Sequence, residues 1–379
     1  MHRLYSHLYP LWLVIANLVA RLGGMITLLL VGHHFAPDQL AGYFTALATI
    51  GLAVTIAQAG CGPLLIRLYQ TSQIKVIVTI CALRVTLALA ATAFVITTTD
   101  IPLSPILLMP LAAALAPDWI ITGRGQLSQI ALIAVFGQIA GIITAVIAIA
   151  TNSNLTLFAI APAISLASLI AGFLLALREQ ATQQAVARKL TGNHAINLIG
   201  FILLAGALPN LDFVLLGQNL PDAAHDNLML GQRIFLITSA IIASISTALF
   251  AKRQSGLLRD IWLITPPLAT TAILLFIPET LALLFYGTTN ADLVTLLRTG
   301  AFWPALLAMI SRQILISQET ENRLFPGWLC LALLVVSGLL LPAFPHETDA
   351  LIVMQLRLTI CLFLMLICHR SPILRNKPA

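Results

Sequence analysis

Residues 195–218, AINLIGFILLAGALPNLDFVLLGQ, are long and apolar enough to cross a bilayer, yet they contain Pro209, Asn210 and Asp212. A carboxylate at membrane depth is costly unless it faces protein or water. A proline within a membrane helix frees a backbone carbonyl, so such breaks occur where the helix packs on protein or lines a cavity. This segment opens the second half of the chain, and it predicts two bundles of helices around a polar cavity.

The composition indicates an all-α polytopic membrane protein. Of the 379 residues, 59% are hydrophobic and 9% are charged, whereas a soluble protein has about 25% charged residues. The net charge of +6 does not indicate nucleic-acid binding, because no basic run with interleaved aromatic residues occurs. The sequence contains no HExxH, GxSxG or phosphate-binding loop motif and no metal-ligand spacing. It therefore predicts a protein that is not an enzyme and has no metal or cofactor.

Twelve segments have the length of about 20 apolar residues that a membrane helix needs. In the ninth of them, Pro266, Pro267 and Pro278 are expected to break the helix. The predicted spans are 9–32, 43–66, 76–97, 103–122, 127–150, 156–177, 195–218, 228–251, 261–285, 293–317, 324–344 and 349–368.

The positions of lysine and arginine agree with twelve spans. With the N-terminus in the cytoplasm, 14 of the 20 lie on the cytoplasmic side, six lie within spans, and the outer loops contain none. Positive residues concentrate on the cytoplasmic side of membrane proteins, and a wrong number of spans would scramble this alternation. A multi-pass protein with both termini in the cytoplasm is therefore predicted.

The longest cytoplasmic connection, residues 178–194, separates six spans from six. It predicts an N-terminal lobe at 1–177 and a C-terminal lobe at 195–379. Because both halves begin in the cytoplasm, an internal repeat would be parallel. The similarity of LLLVGHHFAPDQLAGY (28–43) to FVLLGQNLPDAAHDNLMLG (213–231) favours such a repeat.

Arginines within the spans are the main candidates for a binding site. Each would cost about 2.5–3.5 kcal/mol at mid-bilayer against lipid, so most of them need protein or water. Six arginines are counted with only two carboxylates, Asp118 and Asp212, which leaves a surplus of four positive charges. This surplus predicts a water-filled cavity that binds an anion. The planar guanidinium of arginine binds phosphate oxygens bidentately, so the expected anion is a phosphate. The alternative interpretation is that these arginines reach the membrane surface by snorkelling or connect helices. The six are Arg21, Arg84, Arg233, Arg298, Arg312 and Arg357.

Two aspartates are candidates for coupling. Asp212 is interpreted either as a titratable switch or as a fixed ion pair. For Asp118 a structural role is favoured, as a cap for the backbone freed by Pro117 or as a partner of Arg124. The histidines fall in predicted loops and tails, and they are interpreted as surface residues.

Three stretches carry a family resemblance. They are residues 20–67, with a Gly-Tyr pair and a glycine-rich end; PDWIITGRGQ at 117–126; and LDFVLLGQ with LGQRI within 211–234. In these stretches the chain resembles the Wzx-type polysaccharide and O-antigen flippases of the multidrug/oligosaccharidyl-lipid/polysaccharide (MOP) exporter superfamily.

The resemblance implies a fold like that of multidrug (MATE) exporters, with twelve helices in two six-helix lobes around a cationic cavity. It implies that an undecaprenyl-pyrophosphate-linked oligosaccharide is flipped across the bacterial inner membrane for polysaccharide and lipopolysaccharide biosynthesis. By position, Arg21 and Arg233 would face the cavity, with Asp212 near them. Arg84, Arg298 and Arg357 complete the predicted substrate-binding set. Protons or sodium in antiport, membrane lipids, a polysaccharide polymerase and a chain-length regulator are the candidate partners.

Three other functions stay open. One is transport of a small solute by a MATE-like secondary transporter. Another is a non-transporting role in a polysaccharide assembly complex. The third, a membrane glycosyltransferase, polymerase or ligase, is disfavoured because such enzymes usually need a large outer loop, and no predicted outer loop exceeds about ten residues.

Overall fold

All regular elements in the described residues are helical. The computed structural model describes residues 22–71, 73–99, 101, 103–124, 126–178, 192–217, 220–251, 257–317, 325–344 and 346–370. The predicted all-helical fold class is confirmed. The first part of the first predicted span and most of the link 178–194 lie outside these residues.

The N-terminal half of the chain, taken here as residues up to 178, contains nine described α-helices. Pro105–Leu108 is a 3₁₀ turn ahead of the fifth. The helices are α1 (Leu22–Gly32), α2 (Pro37–Gln58), α3 (Gly62–Gln70), α4 (Ile74–Thr98), α5 (Met109–Leu115), α6 (Asp118–Gly123), α7 (Leu127–Thr151), α8 (Asn154–Leu157) and α9 (Ile160–Arg178).

The C-terminal half, taken here as residues from 192 onwards, also contains nine described α-helices. Leu341–Ala343 is a 3₁₀ turn ahead of the last. The helices are α10 (Gly192–Ala207), α11 (Leu211–Gly217), α12 (Asp222–Ala251), α13 (Leu257–Phe276), α14 (Pro278–Tyr286), α15 (Ala291–Thr299), α16 (Trp303–Ser317), α17 (Pro326–Gly338) and α18 (Glu347–Arg370).

Membrane-spanning length is reached by seven segments within the described residues, and by up to nine if each of two bent helix pairs counts as one span. Helices α1 and α17 are apolar but shorter in their described parts. In its described residues, each predicted span overlaps a helix or a pair of helices. The exact number of twelve spans stays a prediction.

The seventh predicted span is broken where its proline lies. Helix α10 ends at Ala207, α11 begins at Leu211, and their axes differ by 45°. In the break, the Gln232 side chain donates from Nε2 to the Pro209 carbonyl at 2.9 Å. On its other side the break packs on α2, because a Cβ at Gly51 would lie 2.7 Å from Asn210 Nδ2. The break is therefore held by protein on both sides, as expected for a proline in a span.

Replacing Gln232 by leucine is expected to lower the free energy of unfolding by about 1–3 kcal/mol, because the half-buried Pro209 carbonyl loses its donor. Thermal unfolding in detergent measures the change. The matched control is Gln39→Leu, which removes an exposed hydrogen bond to the Ala36 amide and should cost less than about 1 kcal/mol. Equal shifts for the two variants would show that Gln232 does not hold the break.

The ninth predicted span is broken at one of its three prolines. Helix α13 continues through Pro266 and Pro267, so the expected break at these two residues is wrong. Membrane helices keep prolines where neighbouring groups satisfy the freed carbonyls. The break occurs at Ile277, before Pro278, and turns α14 by 86°. A residue before proline avoids the helical region, and Ile277 accordingly has φ −134° and ψ 41°.

The two halves meet along α2, which contacts α10, α11 and α12. At its cytoplasmic end in the predicted topology, Gly60 has φ +61°, and a Cβ there would lie 2.7 Å from the Ile199 carbonyl oxygen. Small residues allow such close approach of backbones in membrane proteins. This line of contact positions α12 against α2, and with it the side chains of the candidate site.

Candidate functional site

A cavity of about 520 Å³ lies between the two halves. Four helices of the N-terminal half and α12 of the C-terminal half form its walls, which are mainly apolar. The lining residues are Gly24, Thr27, Leu28, Val31, Tyr43, Phe44, Leu47, Ala134, Gln138, Ile160, Ala161, Ile164, Arg233, Leu236 and Ile237.

Arg233 carries the charge of this cavity, since the other described lining residues are uncharged. Leu236 and Ile237 follow it by three and four residues, so the three share one face of α12. On the neighbouring face Gln232 is fully buried and donates to the Pro209 carbonyl. The helix thus directs one polar side chain into the protein and the next into the cavity.

The Arg233 guanidinium also joins the two halves. Its Nη2 donates to the Phe44 carbonyl oxygen at 2.8 Å, and its Cζ lies 5.0 Å from the centroid of the Phe44 ring. Its Nε is buried and has no hydrogen-bond partner within the described part of the chain. One edge of the guanidinium is therefore engaged, while an N–H group beside the cavity is left without an acceptor.

Arg84 and Asp118 lie within the N-terminal half. Arg84 is 3% exposed, and its Nη2 donates to the Ala113 carbonyl at 2.7 Å. Its Nε and Nη1 have no hydrogen-bond partner among the described residues, and Asp118 is near enough to act on it electrostatically. Asp118 lines a cavity of about 320 Å³, and Ile164 lines both this cavity and the larger one.

Asp118 is not paired with Arg124, and its carboxylate instead interacts with the backbone of Asp118 and Trp119 at the start of α6. Asp118 is the first residue of α6, directly after Pro117. Arg124, its expected partner, instead donates to the Tyr69 hydroxyl at 3.2 Å and to the Ala176 carbonyl at 2.9 Å. Asp118 therefore interacts electrostatically with Arg84, a pairing that was not predicted from the sequence.

Asp212 and Arg357 form a buried salt bridge inside the C-terminal half. Arg357 Nη1 lies 2.8 Å from Asp212 Oδ1, and both side chains are about 5% exposed. Arg357 also donates to Ser337 Oγ at 2.7 Å and to the Leu334 carbonyl. Neither charged residue lines the cavity that Arg233 lines. Between the two interpretations of Asp212, this geometry favours the fixed ion pair.

Arg298 is paired at the surface. Its Nη2 lies 3.0 Å from Glu279 Oε1, with both side chains 51% exposed, and its Nε donates to the Leu275 carbonyl. Glu279 belongs to the ninth predicted span and Asp349 to the twelfth, so two carboxylates are missing from the charge count of the spans. The surplus of four positive charges was therefore too large.

Two further arginines were predicted within spans. Arg312 lines a cavity of about 820 Å³ between α13, α16 and α18, whose walls are otherwise uncharged. Arg21 lies outside the described residues, so its place relative to Arg233 stays a prediction.

The surface interpretation is wrong for two histidines. His194 is buried, at 5% exposure. His225 connects the two halves, because its Nε2 lies 2.8 Å from the Thr45 hydroxyl. His225 belongs to 213–231, the segment that resembles 28–43, and His33 of that earlier segment also contacts the other half through the Leu284 carbonyl. The repeated segment was the signal that could have identified both contacts.

Solved structures of transporters share this arrangement of helices. The lipid II flippase MurJ in an inward closed conformation matches with a TM-score of 0.60 and 13% identity, over 95% of this chain and 88% of that one. A MATE in complex with MaL6 matches with a TM-score of 0.58 and 12% identity, over 95% and 93%.

The chain has the fold of a MOP superfamily transporter. A further MOP transporter, from Pyrococcus furiosus, matches with a TM-score of 0.53 and 14% identity, over 96% of both chains; for that protein a reverse polarity of the binding pocket suggests a different function. No family model matches the chain, and no curated protein matches it. In this MOP fold, the cavity of Arg233 lies between the two halves.

Proposed function

We propose that the protein flips an undecaprenyl-pyrophosphate-linked oligosaccharide from the cytoplasmic to the periplasmic leaflet of a bacterial inner membrane. The observation that carries the proposal is the unopposed charge of Arg233 in the cavity between the halves. The lobes 1–177 and 195–379, joined by 178–194, alternate the opening of this cavity. The expected setting is O-antigen or other polysaccharide synthesis, beside a polymerase and a chain-length regulator.

The chemistry of arginine supports a phosphate ligand. A guanidinium binds phosphate oxygens through parallel, charge-assisted hydrogen bonds, which are about twice as strong as neutral ones. Burial of a pyrophosphate near Arg233 would compensate a cation that has no carboxylate among the described lining residues. The same charge would repel a cationic solute.

Contacts between the halves on the outer side support a stage at which that side is closed. In the predicted topology, Thr45, His225, His33 and the Leu284 carbonyl all lie near the outer side, where they join the halves. With this side closed, the proposed cavity is loaded from the inner leaflet, and the isoprenoid tail stays in the bilayer. Outward movement of the anionic headgroup is favoured by about 2.3 kcal/mol per charge per 100 mV.

The proposed binding set is narrower than the set of arginines in spans. Arg233 is its centre, and Arg21 stays a predicted member. Arg84 is a second candidate because two of its buried nitrogens have no acceptor among the residues that the structure describes. Arg298 and Arg357 have carboxylate partners, so the proposal gives them structural roles.

A transport assay tests the proposal. Purified protein is reconstituted into vesicles with labelled undecaprenyl-pyrophosphate oligosaccharide, and a membrane-impermeant hydrolase measures the substrate left in the outer leaflet. The protein is expected to expose the whole pool to the hydrolase, whereas protein-free vesicles should protect about half. The lipid with a neutral headgroup is the matched substrate control, and it should not be flipped.

Transport of a small solute is the second candidate function. A cavity of about 520 Å³ falls in the range of ordinary small-molecule pockets, about 300–1,000 Å³. Uptake of a solute from a test panel, without flipping of the labelled lipid, would replace the flippase proposal by this one. A protein that moves neither would be assigned to the assembly-complex alternative.

A further inference from the structure

His225 connects three helices at the contact between the halves. It lies in the first turn of α12, half-buried. Its Nδ1 lies 2.9 Å from the carbonyl oxygen of Gly217 at the end of α11, and its Nε2 lies 2.8 Å from Thr45 Oγ1 of α2. One imidazole ring thus joins the C-terminal half to the N-terminal half.

The protons at this contact can be counted. A carbonyl oxygen only accepts, so the contact with Gly217 requires a hydrogen on Nδ1 of His225. Thr45 has a single hydroxyl hydrogen, and its Oγ1 also donates to the Ala41 carbonyl at 2.8 Å. If that hydrogen stays with Ala41, Nε2 must carry a hydrogen as well. All three hydrogen bonds therefore exist together only when His225 is an imidazolium, and the neutral ring gives up one of them.

A carboxylate lies near the ring. Asp226 of α12 interacts electrostatically with His225, and Asp38 of α2 and Asp222 of α12 interact in turn with Asp226, while α11 presents the Gly217 carbonyl. Burial raises the pKa of Asp226. The carboxylates of Asp38 and Asp222 raise this pKa further, whereas His225 lowers it.

The same side of the molecule has a second contact between the halves. His33 Nε2, at the end of α1, lies 2.7 Å from the Leu284 carbonyl oxygen of α14. Beside it, a Cβ at Gly32 would lie 2.1 Å from the Phe285 carbonyl oxygen. The contact of His225 with Thr45 therefore belongs to a closed rim, which the predicted topology places on the outer side.

We propose that His225 is a proton-binding site that holds the outer side of the protein closed. Protonation allows the hydrogen bonds of His225 to Gly217 and Thr45 to exist together with that of Thr45 to Ala41, and loss of the proton removes one of the three. An imidazolium loses its proton as the pH rises, so closure is favoured at low pH and weakened at high pH. An acidic exterior would return an open protein to the closed state. The inference goes beyond the proposed function and does not depend on the substrate.

Distances across the rim test the inference without substrate. Spin labels are attached to cysteines introduced at the exposed residues Ala36 and Ala223, with the native cysteines replaced by alanine. In vesicles, the closed-to-open ratio is expected to fall about five- to tenfold between external pH 5 and pH 8, as the loss of one hydrogen bond implies. His225→Gln should abolish this response, and the matched control His34→Gln, exposed on the same rim, should keep it.

A second variant keeps the inference falsifiable if His225→Gln does not fold. Thr45→Val preserves the shape of the α2 side chain and removes the acceptor, so its closed-to-open ratio at pH 5 should equal that of the unsubstituted protein at pH 8. The inference is overturned if the unsubstituted rim does not respond to pH. It is equally overturned if Thr45→Val or His225→Gln retains the full response. Flipping is measured separately, so failure of the flippase proposal would leave these distances interpretable.

Discussion

Arg233→Gln is expected to reduce flipping of the pyrophosphate-linked oligosaccharide by at least about 30-fold. The glutamine keeps a hydrogen-bond donor on this face of α12 while the charge is lost. Removal of one partner from a desolvated charge pair costs about 2–5 kcal/mol, and 2 kcal/mol corresponds to about 30-fold. Initial rates in the vesicle assay, at equal amounts of folded protein, measure the effect.

The matched control is Arg298→Gln, a substitution of the same type. Arg298 was also predicted within a span, but its partner is Glu279 and its side chain is half-exposed. Its replacement should change the flipping rate by less than about twofold. Equal losses for the two variants would mean that overall charge or folding, and not the cavity charge, determines transport. Normal flipping by Arg233→Gln would remove the main support for the flippase proposal.

Asp212→Ala is expected to lower the free energy of unfolding by about 3–5 kcal/mol, because it leaves the buried Arg357 guanidinium without its carboxylate. Replacing both partners together, Asp212→Leu with Arg357→Met, should recover most of this loss, since apolar residues of similar volume can replace a buried pair. Thermal unfolding in detergent, followed by tryptophan fluorescence, gives the comparison.

The exposed pair provides the control for this experiment. Glu279→Ala removes a salt bridge whose side chains are 51% exposed, and such pairs contribute about 0–1 kcal/mol. A similar, small shift for Asp212→Ala would contradict a structural ion pair. The switch interpretation makes a different prediction, in which Asp212→Asn folds normally and transport loses its dependence on pH. A stable Asp212→Asn protein with that loss would restore Asp212 as the coupling residue.

The proline of the seventh span shows what local sequence predicts well. A break at Pro209 was expected, and the chain bends by 45° there. Pro266 and Pro267 carry the same local signal, yet α13 continues through them. At the Pro209 break another helix supplies a hydrogen-bond donor, since Gln232 of α12 donates to the Pro209 carbonyl. Local sequence indicates where a break can occur, and packing decides whether it does.

The candidate site was likewise only partly predictable from the sequence. Charge in the spans pointed to Arg233, and this residue lines the cavity between the halves. The same signal pointed to Arg357 and Arg298, which have carboxylate partners elsewhere. Distant pairs of this kind are formed by helix packing, and no spacing along the chain indicates them. The contact of His225 with Thr45 was missed for the same reason.

By itself, the sequence determined that this chain forms apolar helices of membrane-spanning length, because a backbone in lipid must satisfy its hydrogen bonds within each segment. It also determined which charged residues would need partners or water. The tertiary structure alone decided the partners: Asp212 for Arg357, Glu279 for Arg298, and the cavity for Arg233. The physical reason is that the cost of desolvating a charged side chain depends on the residue and its depth in the membrane. The group that compensates this charge depends on which other helix packs within a few ångströms of it.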